Sequence, residues 1–328
     1  RALWFSLPDV VASVLLTGRV PTILDAFRIE PKGIAPGLKA VRLRGEIEID
    51  PAKQDFFRTV IEERKRLRSR LNISDSERVW LDKFLKVLAN AASYGIYAEM
   101  NRQEENGKIP IVCHGIDAEP FHCTVQHPDS RGEYCFPPMA SLITGAARLM
   151  LALLERCVTD SGGTYAMEDT DSMAIVATKT GGFVHCPGGP LRDSDGREGV
   201  NALSWKQVED IKDRFAALNP YSRDAIPGSV LKIEEVNFDK NTGDQRQLHC
   251  LAISAKRYAL FTRIENKEPV LVDHSEHGLG HLLNPADPET EDRDWIGQVW
   301  LKMIRKALGL PAEELPFEDL PAVGRVTI

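Results

Sequence analysis

Hydrophobic and polar positions divide the chain into helical, alternating and irregular stretches. An apolar stretch at 10–16 predicts a first helix. Residues 20–49 are broken by Pro21, Pro31, Gly33, Pro36 and Gly37, leaving short strand candidates at 40–43 and 46–49, the second alternating polar and apolar. Phe56, Phe57, Val60, Ile61 and Leu67 then recur at helical spacing, and Asp50 as N-cap with Pro51 at the first helical position would start that helix. Ser74-Asp75-Ser76-Glu77 is a capping box that opens a second helix, with Val79, Trp80, Phe84, Val87, Leu88 and Ala91 as its apolar stripe. Two helices joined by a short link predict an antiparallel helical hairpin.

Residues 102–137 read as loop and strand, rich in Gly, Pro and His. A strong helix at 139–158 follows Pro137-Pro138. Gly162-Gly163 turns the chain into a strand at 164–167, a polar turn at 168–172 follows, and a second strand runs over 173–178. Residues 179–200 read as a Gly/Pro loop, 204–217 as a helix, and 230–238, 248–254 and 257–264 as strands. The last 60 or so residues mix acidic loops with one helix at 295–308.

Composition adds bounds. A chain of 328 residues holds one large domain or two to three smaller ones, and 43% hydrophobic with 27% charged residues is ordinary for a globular protein. No apolar run of about 18 residues is read in the sequence, so no membrane span is expected. The opening residues Arg1 to Pro8 have neither an initiator Met nor a signal-peptide layout and read as the middle of a longer chain. The cysteines Cys113, Cys123, Cys135, Cys157, Cys186 and Cys250 form no CxxC pair, which predicts reduced thiols and a cytoplasmic location. His114, His122 and His127 lie near three of them, but the spacing matches no standard zinc pattern, and these side chains are expected to be structural.

Charge sharpens the picture. The net charge of -7 argues against a polyanionic partner, yet Arg64-Lys65-Arg66-Leu67-Arg68-Ser69-Arg70 holds five cations and no acid. Three further features carry chemistry. Asp169 and Asp171 sit in Asp169-Thr170-Asp171-Ser172 between two apolar segments, and in extended geometry i and i+2 share a face. Paired carboxylates there would suit a hard divalent ion such as Mg²⁺, which takes one or two carboxylates plus phosphate oxygens. The same tetrapeptide also fits a solvated turn. Lys83, Lys86, Asn90, Tyr94 and Tyr97 recur at three and four on the second helix, forming a polar stripe that can meet a triphosphate or simply face solvent. Lys256, Arg257 and Tyr258 open a strand, where such residues hold phosphates or guard an edge.

The order of these features resembles family B DNA polymerases. That family carries K-x-x-x-N-S-x-Y-G on a fingers helix, Y-x-D-T-D-S on a palm hairpin and K-K-x-Y further on. This chain has Lys86-Val87-Leu88-Ala89-Asn90-Ala91-Ala92-Ser93-Tyr94-Gly95, then Tyr165 with Asp169-Thr170-Asp171-Ser172, then Lys256-Arg257-Tyr258. Arg64-Lys65-Arg66-Leu67-Arg68 resembles the fingers pattern R-K-x-x-K. The resemblance covers residues 50–262. It implies an α+β fold, a polymerase palm with an antiparallel sheet plus helical-hairpin fingers: a palm-associated segment at 1–50, fingers at 51–101, palm at 102–265, and a palm extension or start of a thumb at 266–328.

By the same resemblance, the primer 3′-hydroxyl attacks the α-phosphate of a dNTP with Mg²⁺ as cofactor, and the partners are primer-template DNA and dNTP. Asp171, with Asp169 beside it, would be the catalytic metal ligand. Lys86, Arg64, Arg68, Asn90 and Tyr94 would bind the nucleotide, and Lys256, Arg257 and Tyr258 the DNA. Three departures stand out. Tyr94-Gly95 comes one residue late, Tyr165 precedes Ala166-Met167-Glu168-Asp169 rather than Gly-Asp, and the family's D-x-x-S-L-Y-P motif is not in this sequence. Asp9 is not in such a context, so the resemblance implies that the first carboxylate precedes Arg1 and that the isolated chain is inactive. Other classes compatible with the residues are a non-catalytic, polymerase-like nucleic-acid-binding protein and a metal-dependent phosphohydrolase.

Overall fold

The computed structural model describes residues 3–43, 47–67, 73–91, 95–104, 107–114, 119–254, 256–263, 268–277, 282–289, 294–321 and 323–324. Helices alternate with small sheets, and every strand pairing among the described residues is antiparallel except one. The chain divides into two compact units, Arg1–Arg156 with Asp213–Val230 and Cys157–Lys212 with Leu231–Ile328.

The first unit contains α1 (Leu7–Thr17), β1 (Val41–Leu43), β2 (Ile47–Ile49), α2 (Phe56–Leu67), α3 (Asp75–Asn90), β3 (Met100–Arg102), β4 (Ile109–Cys113), β5 (Phe121–Val125), β6 (Asp129–Arg131) and most of α4 (Pro137–Asp160). The strands pair as β1–β2, β3–β6 and β4–β5. Its core gathers Ile47, Ile49, Val60, Leu67, Leu81 and Leu85, so β2, α2 and α3 share one apolar cluster. Each such buried side chain stabilises by roughly 1.5–3 kcal/mol relative to exposure. Glu62 is buried among them and is satisfied by Arg58 and by the Ser222 backbone N–H, which donates at 2.7 Å.

Two sequence expectations change here. Asp50 does not start α2. It closes a separate turn, in which the Lys53 and Gln54 N–H groups donate to its carbonyl. Asp55 is the cap, its Oδ1 accepting from the Arg58 N–H at 2.7 Å. The helix therefore begins one turn late, because the second acid lies directly before the paired phenylalanines. In α3, Ser74 caps as expected, accepting from the Glu77 N–H. Its inward stripe, however, is Leu81, Phe84, Leu85 and Leu88, while Val79, Trp80 and Val87 are exposed and Ala91 faces solvent.

In α4 the two prolines occupy the first turn, where missing N–H groups are no loss. By length and composition alone α4 is long and apolar enough to cross a membrane, a test that core helices of soluble proteins also pass. Arg148 on this helix is held by Asp9 of α1 through two hydrogen bonds, of 2.6 and 2.9 Å. Gly145 lets α1 approach, since a Cβ there would stand 2.2 Å from Ser6 Oγ.

The second unit holds the end of α4, then β7 (Tyr165–Asp169), β8 (Ser172–Ile175), β9 (Ala177–Thr178), β10 (Gly182–His185), β11 (Leu191–Arg192), β12 (Glu198–Ser204), most of α5 (Trp205–Arg214), β13 (His249–Ser254), β14 (Arg257–Thr262), β15 (Val270–Glu276) and α6 (Asp294–Ala307). The stretch 179–200 contains paired strands rather than only loop: β10 and β11 flank β12 on either side, and β9 joins β12 in parallel. Gly199 explains part of this, because any Cβ on it would strike Phe183 and the Val184 carbonyl of the neighbouring strand. Residues 230–238 are not a strand but irregular chain with a single 3-10 turn at Glu235–Asn237. Strands β13, β14 and β15 form one antiparallel sheet whose apolar side, with Ala259 and Phe261, packs on Ile296, Trp300 and Ile304 of α6.

Candidate functional site

The β7–β8 hairpin closes on two residues, Thr170 and Asp171, between the paired Asp169 and Ser172. The turn is tighter than the predicted 168–172, and Glu168 and Asp169 belong to β7. Thr170 has φ 55°, alone among the described non-glycine residues in being positive. Two-residue hairpins favour glycine where φ is positive, and a β-branched residue there is strained. The Asp171 N–H donates to the Asp169 carbonyl at 2.6 Å, and Ser172 Oγ donates to the same carbonyl at 3.1 Å. Extended geometry thus ends at Asp169, and the expectation that Asp169 and Asp171 share a strand face does not hold. Asp171 sits exposed at the tip, while Asp169 is half-buried.

Asp169 has a partner from another part of the chain. Lys256, at the turn between β13 and β14, brings Nζ to 3.1 Å from Asp169 Oδ1 and donates to Thr170 Oγ1 at 3.1 Å. Thr170 Oγ1 donates in turn to Asp169 Oδ1 at 2.8 Å. Partial burial pushes the Asp169 carboxyl up. The Thr170 hydrogen bond, the Lys256 hydrogen bond and charge, and the charge of His277 outweigh it and hold the carboxyl below its ordinary range. The Lys256 backbone is fixed as well, its carbonyl accepting from Ser275 Oγ and from the His277 N–H. A register shift between Ala252 and Ser254 bends β13 just before this turn.

Arg257 is exposed and its Nε donates to the His277 carbonyl at 3.4 Å. Tyr258 is half-buried in β14. Burial first, then the nearby carboxylates of Asp273 and Asp169, push its hydroxyl pKa up. Tyr165 takes a different place. A bulge between Tyr165 and Met167 flips it to the strand face of Glu168, opposite that of Asp169. Thr170 and His277 were missed from the sequence. Thr170 had a signal, a β-branched residue inside a two-residue turn, whereas His277 had none, because it follows β15, which the acidic composition of the last 60 or so residues concealed.

The other sequence-picked residues lie on α2 and α3. Lys83, Lys86 and Asn90 are exposed on one face of α3, beside the exposed Val79, Trp80 and Val87. Lys86 makes no ion pair among the described residues. Arg64 instead forms a two-pronged pair with Asp82, at 3.0 and 2.9 Å, tying α2 to α3. Ala91 and Gly95 are wound as π-helix. Tyr97 is half-buried and its carbonyl accepts from the Phe136 N–H. Arg68 and Tyr94 lie outside the described residues.

Among the described residues no group of three or more His, Cys, Asp or Glu converges as a metal site. The carboxylate oxygens of Asp169 and Asp171 supply two hard donors on one turn. Mg²⁺ in general takes one or two carboxylates when phosphate oxygens complete its shell. No family model matches the chain, and no match is found among curated proteins or among solved structures.

Proposed function

We propose that the chain carries the fingers and palm of a family B-like DNA polymerase, and that Asp169, Asp171 and Lys256 belong to its nucleotidyl-transfer site. The observation that carries this reading is the contact of Lys256 with the acidic turn. Thr170 and Lys256 are 86 residues apart in sequence, come from two stretches each singled out for its own chemistry, and meet in one charged cluster. Strain at Thr170 supports it, since a β-branched residue held at positive φ persists where surrounding structure over-determines it, and such residues concentrate at functional sites.

In this reading Asp169 stays ionised and Asp171 offers its carboxylate from the tip. Mg²⁺, when bound, would neutralise phosphate charge and favour ionisation of the primer 3′-hydroxyl. Lys256 and Tyr258 steady the primer end, with Arg257 beside them. Lys86 and Asn90 on the exposed face of α3 meet the triphosphate. Arg64 contributes indirectly, by fixing α3 through Asp82. The 3′-oxygen forms a bond to the α-phosphorus as the bond to the leaving pyrophosphate breaks.

The test is primer extension with Mg²⁺ and all four dNTPs. The sequence holds no D-x-x-S-L-Y-P motif, so the 328-residue chain by itself is expected not to extend a primer, and a version lengthened by a segment that carries this motif is expected to extend one as the template directs. Binding of primer-template by the lengthened version with no extension would favour the non-catalytic alternative and overturn the proposal.

A further inference from the structure

The hairpin of β4 and β5 brings two thiols together. Its register sets Ile111 opposite Cys123 and Cys113 opposite Phe121, so the cysteines occupy diagonal positions on one face. Right-handed twist draws one diagonal of an antiparallel pair closer, and here Cys113 Sγ and Cys123 Sγ are 3.4 Å apart. Both are half-buried, on the less exposed face of the hairpin with Ile109, Ile111 and Val125. A disulfide needs about 2.05 Å between sulfurs, so closure asks for an approach of roughly 1.4 Å, within reach of a small side-chain rotation.

We propose that Cys113 and Cys123 form a dithiol site that closes reversibly to a disulfide when met by a small-molecule disulfide such as oxidised glutathione. One protein thiolate attacks the oxidant and releases one glutathione thiol, leaving a mixed disulfide. The second protein thiolate attacks the protein sulfur of that adduct and releases the other glutathione thiol. Two protein thiols are oxidised, one external disulfide is reduced, and two protons pass to the released thiolates. Closure would clasp the two strands across 114–122 and withdraw both sulfurs from alkylation.

The experiment treats the folded full chain with oxidised glutathione, alkylates the remaining thiols, and maps the unreduced digest by mass spectrometry. The expected result is a cross-linked peptide joining Cys113 and Cys123, a loss of two alkylatable thiols, and recovery of both on adding dithiothreitol. In Cys123→Ser the reaction should stop at a glutathione adduct on Cys113. Because the wild-type map alone decides the matter, a poorly folding variant leaves the test intact. A persistent glutathione adduct on the wild-type pair, prior closure of any other pair, or continued alkylation of both thiols would overturn the proposal.

Discussion

Asp9 shows how a single carboxylate can be claimed by structure rather than chemistry. Hydrogen bonding from Arg148 lowers its pKa most, burial opposes this, and the Ser6 hydroxyl and the Arg148 charge add to the lowering. A carboxyl held lower in the folded state contributes its full stability above the unfolded-state value, about 3.9, and loses that contribution as pH falls through the folded value. Asp9→Asn should therefore lower the urea midpoint clearly at pH 7 and by less at pH 3. A gap of equal size at both pH values would contradict the account. Arg64 and Asp82 make a second residue-scale case. Each side chain is a little over a quarter exposed, and a two-pronged guanidinium–carboxylate pair in that setting should show a coupling of about 1 kcal/mol in a double-mutant cycle. Zero coupling would return Arg64 to the nucleotide role read from the sequence. Local motif and the family resemblance identified both Asp169 and Lys256. Their salt bridge was not legible, because no pattern along the chain reports which distant turn a strand start will face.

At the scale of elements, what could be read depended on the length of the signal. Helices α3 and α4 carry many turns of periodic apolar residues with a serine cap or paired prolines, and the start of α3 and the span of α4 emerged nearly complete. Strands of two to four residues such as β9, β10 and β11 give no alternation to count, and the glycines between them read as loop. The stripe on α3 went partly wrong because exposed Val79, Trp80 and Val87 carry as much apolar weight as the residues that pack. Close approach of elements is also invisible in composition. Gly145 is such a place, and Gly145→Val should separate α1 from α4 and destabilise by about 1–3 kcal/mol through overpacking. An unchanged unfolding midpoint would show that α1 does not rest there.

For the whole molecule, a mixture of helices and short strands was legible because periodicity switches repeatedly between helical and alternating stretches. The division into units was not, since each combines segments distant in sequence. The central claim is that the turn bearing Asp169 and Asp171, with Lys256 against it, performs templated nucleotide transfer. It is tested most directly by single-nucleotide incorporation on a primed template, using a version of the chain that carries a D-x-x-S-L-Y-P segment, with Mg²⁺. Asp171→Asn is predicted to slow incorporation on the order of 100-fold or more, because misplacing the reacting groups even slightly is that damaging, while primer-template affinity changes little. Incorporation by Asp171→Asn at the wild-type rate would contradict the account.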